Sequence, residues 1–121
     1  MRILLVDDDP ISLAIMRAFV ERRGHACLTA SSGDEGLEVY AGERPDAVLT
    51  DWSMPGIDGI ELCRRIRARA DALPPYLALL SATSDPAPGE ELASIVDAVL
   101  HKPMLADALD DVLAAAAAPH A

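Results

Sequence analysis

Asp51 follows the apolar run Ala47-Val48-Leu49-Thr50 and opens the stretch Asp51-Trp52-Ser53-Met54-Pro55-Gly56-Ile57-Asp58-Gly59. Alone, such a carboxylate is no more than a helix cap or a turn former. Similar places in the chain hold four other chemically capable residues. Asp7 and Asp8 follow Arg2-Ile3-Leu4-Leu5-Val6, Ser81 follows Tyr76-Leu77-Ala78-Leu79-Leu80, and Lys102 lies just beyond Asp97-Ala98-Val99-Leu100. Crowded carboxylates repel one another and want a cation, and a hard divalent ion such as Mg²⁺ suits oxygen ligands of this kind. A carboxylate beside Mg²⁺ and a lysine can attack a phosphoryl group. The two cations would neutralise charge on the equatorial oxygens during in-line transfer, and a hydroxyl at Ser81 could bond the transferred group. No Walker loop and no GxGxxG occurs, so nucleotide binding has no support.

These residues act together only if the chain brings them to one place. Short continuous apolar runs read as buried strands. They alternate with helix-like patterns, strand then helix, five times over. That order implies an α/β fold, a parallel sheet with helices on both faces and right-handed crossovers. Ligands in such sheets bind beyond the carboxyl ends of the strands, at the topological switch point. All five residues would rise at that rim.

The helices carry their own signals. Asp9 can cap the first, with Pro10 in its first turn and Gly24 after its end. Only one acid is needed for that cap, which leaves Asp7 and Asp8 surplus to structure. Ile11, Ala14, Ile15, Ala18 and Arg22 share one face of this helix, while Leu13, Met16 and Val20 lie off it. The helix is therefore apolar over more than one face. Either all of that surface meets a large core or part of it meets a partner. His25 to Thr29 reads as an edge strand, and Asp34 to Ala41 as a short helix burying Leu37 and Tyr40. Asp58 and Glu61 have capping-box spacing ahead of a helix that turns Leu62, Cys63, Ile66 and Ala70 inward. Its Arg64, Arg65, Arg67 and Arg69 suit the negative end of the helix dipole and read as a solvated face. Glu90 to Ile95 has room for only a short helix, and Met104 to Ala118 for a final one with Leu105, Leu109, Val112 and Leu113 inward.

Length and composition set bounds. The 121 residues, 51% of them hydrophobic, make one domain over 1–121 with a proper core the default. Cys27 and Cys63 stand far apart in no metal or redox motif, and read as reduced, buried thiols. The formal charge of −10 argues against direct nucleic-acid binding and suits a metal cation or a basic partner. No leader and no apolar run of membrane-spanning length is present, so a cytoplasmic location without membrane binding is expected.

Across essentially its whole length the chain resembles the receiver domain of two-component response regulators, of the chemotaxis-regulator-like kind. The carriers are Leu5-Val6-Asp7-Asp8-Asp9-Pro10, the stretch from Asp51 to Gly59, Leu80-Ser81-Ala82 and Lys102-Pro103. The resemblance implies a doubly wound (βα)5 flavodoxin-like sandwich with strand order 2-1-3-4-5. It implies that Asp51 is the phosphoacceptor, served by a sensor histidine kinase or a histidine phosphotransfer protein. Asp8, Asp51 and the backbone carbonyl of Ser53 would bind Mg²⁺ (or Mn²⁺) directly, and Asp7 mainly through water. Lys102 would pair with the acids and then with the phosphoryl group, and Ser81 would be the switch hydroxyl. Such a domain is a signalling module rather than an enzyme on external substrates. It would act on an unknown output partner or domain, and dimerisation on phosphorylation is possible. Lys102-Pro103 often has a cis peptide in this family.

Two departures bear on signalling. The family usually has an aromatic residue three before the lysine, where this chain has Val99, and the preceding segment is a proline-rich loop. Ser53 and Thr83 match positions that tune hydrolysis, and neither orients water strongly, so rapid self-hydrolysis is not expected. Rival readings are a receiver that binds partners without phosphate, a small metal-dependent phosphatase, and a flavin-binding protein. The last lacks a phosphate-cradling loop after its first strand.

Overall fold

The computed structural model describes residues 1–69, 74–82, 90–102 and 106–117. Five strands, β1 (Arg2–Val6), β2 (Ala26–Ala30), β3 (Ala47–Asp51), β4 (Tyr76–Ser81) and β5 (Ala98–His101), alternate with five helices. These are α1 (Pro10–Arg22), α2 (Gly33–Glu43), α3 (Gly59–Arg69), α4 (Glu90–Ala93) and α5 (Ala106–Ala117). The strands form one sheet in the order β2-β1-β3-β4-β5, and each neighbouring pair is parallel. The expected α/β architecture and strand order are both present, with β2 on an edge.

Side chains alternate across each strand, so the sheet feeds two cores. On one face Leu4, Val6, Val48, Leu77 and Leu79 meet Tyr40 of α2, Leu62, Cys63 and Ile66 of α3, and Leu92 of α4. On the other, Ile3, Leu5, Leu49, Ala78 and Leu80 meet Met16 and Val20 of α1 and Leu109, Val112 and Leu113 of α5. Continuous apolar runs such as Ile3–Val6 are explained by this double burial.

The helix starts follow the sequence signals. The Asp9 carboxylate accepts from the Ile11 backbone N–H, and the Asp58 carboxylate from that of Glu61. Ser32 caps α2 through the Glu35 N–H, while the Glu35 carboxylate reaches back to the hydroxyl and N–H of Ser31. Gly24, at φ +82°, closes α1 in the left-handed region that glycine enters without strain.

The α1 question is settled by burial. Met16 and Val20 face the core and Leu13 is half-buried, whereas Ile11, Ala14, Ile15, Ala18 and Arg22 are all exposed. The regular stripe therefore faces outward, with Ile11 70% and Ile15 62% exposed. The second thiol expectation also needs adjustment. Cys63 is buried and its pKa is pushed up to about 12 by desolvation, but Cys27 is only half-buried.

The basic face of α3 is the larger correction. Arg64, Arg65 and Arg69 are exposed, as expected of a solvated face, but Arg67 is not one of them. Its guanidinium donates to the Ile95 carbonyl (2.9 Å), the Pro75 carbonyl (3.1 Å) and the Asp97 carboxylate (2.7 Å). The same Asp97 oxygen accepts the Leu77 N–H at 2.8 Å. Only a planar, multidentate donor can span three such acceptors. Within the described residues α4 is a single turn, and this polar latch secures the segment between it and β5. Ala70, Leu105 and the Lys102-Pro103 peptide lie outside the described residues.

Replacing Arg67 by Met keeps much of the apolar stem and removes all three donations. We expect a loss of about 1–3 kcal/mol, because carbonyls and a carboxylate lose their donors. Urea denaturation should show a lower midpoint with an unchanged slope, and an unchanged midpoint would contradict the latch.

Candidate functional site

The strand order decides which ends meet. β3 lies between β1 and β4, so Asp51 at the end of β3 neighbours both the Asp7-Asp8 turn and the Ser81 end of β4. Carboxylate oxygens of Asp7, Asp8 and Asp51 all lie within 4.8 Å of one another. Asp7 is 1% and Asp51 6% exposed, while Asp8 faces solvent. From beyond β5, Lys102 sends its ammonium Nζ to 2.9 Å from Asp51 Oδ1 and 3.9 Å from Asp7 Oδ2.

Local backbone bonds hold these groups. The Asp7 N–H donates to the Ala30 carbonyl, and Asp7 Oδ1 accepts the Asp9 N–H at 2.9 Å. Asp7 Oδ2 is buried with no hydrogen-bond partner. The Trp52 N–H bonds the Leu80 carbonyl and the Gly59 N–H bonds the Trp52 carbonyl, which folds the loop back over the end of β3. The Thr50 hydroxyl donates to the Asp51 carbonyl at 3.0 Å. A Cβ on Gly59 would collide with that same carbonyl oxygen and lie 2.7 Å from Leu79 Cδ1. Gly59 is thus what lets α3 start against the backbone of Asp51. Sequence reasoning gave neither Gly59 nor Thr50 a part in the site. Nothing in an Asp-Gly pair distinguishes a close approach from an ordinary turn.

The charges shift one another. Burial pushes the Asp7 carboxyl up from its ordinary value; the Asp9 N–H opposes this, the charge of Asp51 adds to it, and the net is upward. Burial alone would lower Lys102, but its hydrogen bond to Asp51 and the charges of Asp51, Asp7 and Asp8 outweigh it, so it is held more firmly as a cation. Ser81 is only 4% exposed, and its hydroxyl donates to the Ala82 carbonyl at 3.3 Å rather than to an acid. Its own carbonyl accepts the Lys102 N–H at 2.8 Å. Ser53 is exposed, two residues beyond Asp51 on the same loop. Val99 is half-buried against the α2–α4 core. Thr83 lies outside the described residues.

The family model for the response regulator receiver domain matches residues 3–114. This chain belongs to that family. It is 38% identical over 117 residues to the response regulator MprA of Mycobacterium leprae, which covers 94% of the chain and 48% of that protein. It is 43% identical over 83 residues to the transcriptional regulatory protein AfsQ1 of Streptomyces coelicolor, covering 69% of the chain and 36% of that protein. The receiver thus spans about half or less of the curated relatives it matches. A response regulator receiver domain from Clostridium thermocellum superposes with TM-score 0.84 at 26% identity, covering 95% of this chain and 92% of that one. A CheY-like receiver from Methylobacillus flagellatus, 22% identical, shares the fold at TM-score 0.88, covering 96% and 98%.

The upward shift of Asp7 has a consequence for stability. A raised carboxyl pKa means the folded receiver binds that proton more tightly than the unfolded chain. The contribution favours folding below the ordinary value of 3.8 and is lost as pH rises through the folded value. At neutral pH the ionised Asp7 therefore costs stability. In the presence of a chelator, Asp7→Asn should melt a few degrees higher than wild type at pH 7, and the gap should shrink on acidification. A lower melting point at pH 7 would contradict the assignment.

Proposed function

We propose that this receiver accepts a phosphoryl group on Asp51 from the phosphohistidine of a sensor histidine kinase or a histidine phosphotransfer protein. The observation that carries this reading is the pairing of Asp51 with Lys102 at 2.9 Å inside a group of three carboxylates. A signalling response regulator of a two-component system needs such a residue, and the family membership supports the assignment.

The site also fits a divalent cation. Asp7 Oδ2, buried without a hydrogen-bond partner beside two further carboxylates, is the kind of oxygen that a hard ion satisfies. Asp7, Asp8, Asp51 and the Ser53 carbonyl would hold Mg²⁺ (or Mn²⁺). When bound, the ion offsets negative charge on the acids and on the incoming phosphoryl oxygens. The protein's own groups do the rest. An Asp51 carboxylate oxygen forms the new bond to phosphorus as the nitrogen–phosphorus bond breaks, and the electron pair leaves with the donor imidazole. Lys102 then pairs with the phosphoryl oxygens, and Ser81 turns from Ala82 to hydrogen-bond them.

The receiver is a switch and not an enzyme acting on external substrates. Its donor meets the outward stripe of α1, where Ile11 and Ile15 stand next to the Asp8-Asp9 turn. A cytoplasmic setting is part of this proposal and rests on the receiver family's place in two-component signalling; no helix among the described residues is long and apolar enough to cross a membrane.

Trp52 adjoins Asp51, is 7% exposed and is the only tryptophan. Its fluorescence should change when Mg²⁺ is titrated and change again with beryllofluoride. Asp51→Asn should lose the second response. A wild-type protein silent to beryllofluoride would overturn the phosphoacceptor reading, and turnover of many equivalents of a phosphate ester would favour a phosphatase. Ile15→Asp should slow transfer from a cognate protein donor at least tenfold while leaving phosphorylation by acetyl phosphate unchanged. Equal losses with both donors would remove α1 as the docking face.

A further inference from the structure

The family's aromatic position is held by Val99, which leaves open what accompanies Ser81 when it turns. The sheet itself supplies a candidate. Ser81 and His101 are register partners at the ends of β4 and β5. Leu77, Leu79 and Val99 pack into the core on the α2–α4 face, whereas Ala78, Leu80, Ala98 and Leu100 pack into the opposite one. Alternation therefore places Ser81 and His101 on the same face as Leu79 and Val99, one strand spacing of about 4.8 Å apart. Among the described residues of β4 and β5, they are the only polar side chains on that face. His101 is exposed and so has room to move, while Ser81 is buried and its hydroxyl is engaged with Ala82. The backbone bond from Lys102 to the Ser81 carbonyl fixes the two strand ends to each other at this point.

A serine hydroxyl has one proton to donate and two lone pairs that accept. Once its proton is directed to a phosphoryl oxygen, a buried hydroxyl is best satisfied by a donor from its other side. Resting on the reading of Asp51 as the phosphoacceptor, we infer that His101 is a positioning residue for Ser81. Its ring N–H donates to the Ser81 oxygen in the phosphorylated state and strengthens the bond that Ser81 makes to the phosphoryl group. His101 touches neither the phosphoryl group nor the cation and acts through Ser81 alone. The imidazole thus takes over, as a hydrogen-bond donor, the place beside the switch hydroxyl that an aromatic ring would fill by packing.

The test uses the whole chain, with beryllofluoride as the phosphoryl mimic and Trp52 fluorescence as readout. His101→Leu should weaken beryllofluoride binding by roughly 3–10-fold, the worth of one hydrogen bond, with Mg²⁺ affinity and melting temperature unchanged. His101→Gln retains an N–H donor and should restore most of the affinity. In a Ser81→Ala background the His101→Leu effect should vanish. An unchanged affinity in His101→Leu, no rescue by Gln, or an equal loss without the Ser81 hydroxyl would each overturn the inference. In all three cases wild type still responds, so the phosphoacceptor reading stands. A wild type that does not bind beryllofluoride removes both.

Discussion

Like charges held close together are the constraint on which this receiver is built. Asp7 and Asp51 are both buried, and with Asp8 their carboxylate oxygens fall within 4.8 Å. At an effective dielectric of about 20, two unit charges 4.8 Å apart repel by roughly 3.5 kcal/mol, a cost borne most by the buried Asp7 and Asp51, since solvent screens Asp8. Lys102 offsets part of this, most directly at Asp51, and leaves one Asp7 oxygen without a hydrogen bond. The site is therefore under electrostatic strain in its resting form. Any cation or cation-paired ligand that enters it relieves that strain and binds the better for it.

The remainder of the fold keeps the charges from moving apart. Parallel pairing of β1 with β3 sets Val6 opposite Thr50, so the acids that follow cannot slide relative to one another. The loop after Asp51 is returned to the sheet by the Trp52 and Gly59 N–H groups, and Gly59 has no Cβ to push it away. Lys102 is registered by its N–H on the Ser81 carbonyl. Each of these is a backbone interaction or the lack of a side-chain atom, so the geometry is set with little help from side chains.

Much of this was legible in the residues. Continuous apolar runs such as Ile3–Val6 announced doubly buried strands, and the residues just past them announced a shared rim. The cap at Asp9 and the spacing of Asp58 and Glu61 placed two helix starts. Three features were not legible. Periodicity identified a stripe on α1 at Ile11, Ala14, Ile15 and Ala18, but not which way it faced. The core took Leu13, Met16 and Val20, an equally regular i, i+3, i+7 stripe, so spacing alone could not choose between the two faces. Arg67 looked like its arginine neighbours, because a residue's carbonyl partners lie in distant segments that composition does not reveal. The pairing of Ser81 with His101 needed the register of two strands, which no single strand encodes.

The Arg67 latch has a further consequence for how the domain breathes. The segment from Leu92 to Val96 contributes only Leu92, Ile95 and Val96 to the core, and α4 is a single turn within the described residues. What holds it to α3 and β4 is a set of directional bonds centred on one guanidinium and one carboxylate. Such bonds fail together once one is lost, unlike apolar contacts that weaken by degrees. The segment from Leu92 to Asp97 is thus suited to open and close as a body. Amide protons there would exchange through a subglobal opening of lower free energy than the one that releases β1 and β3.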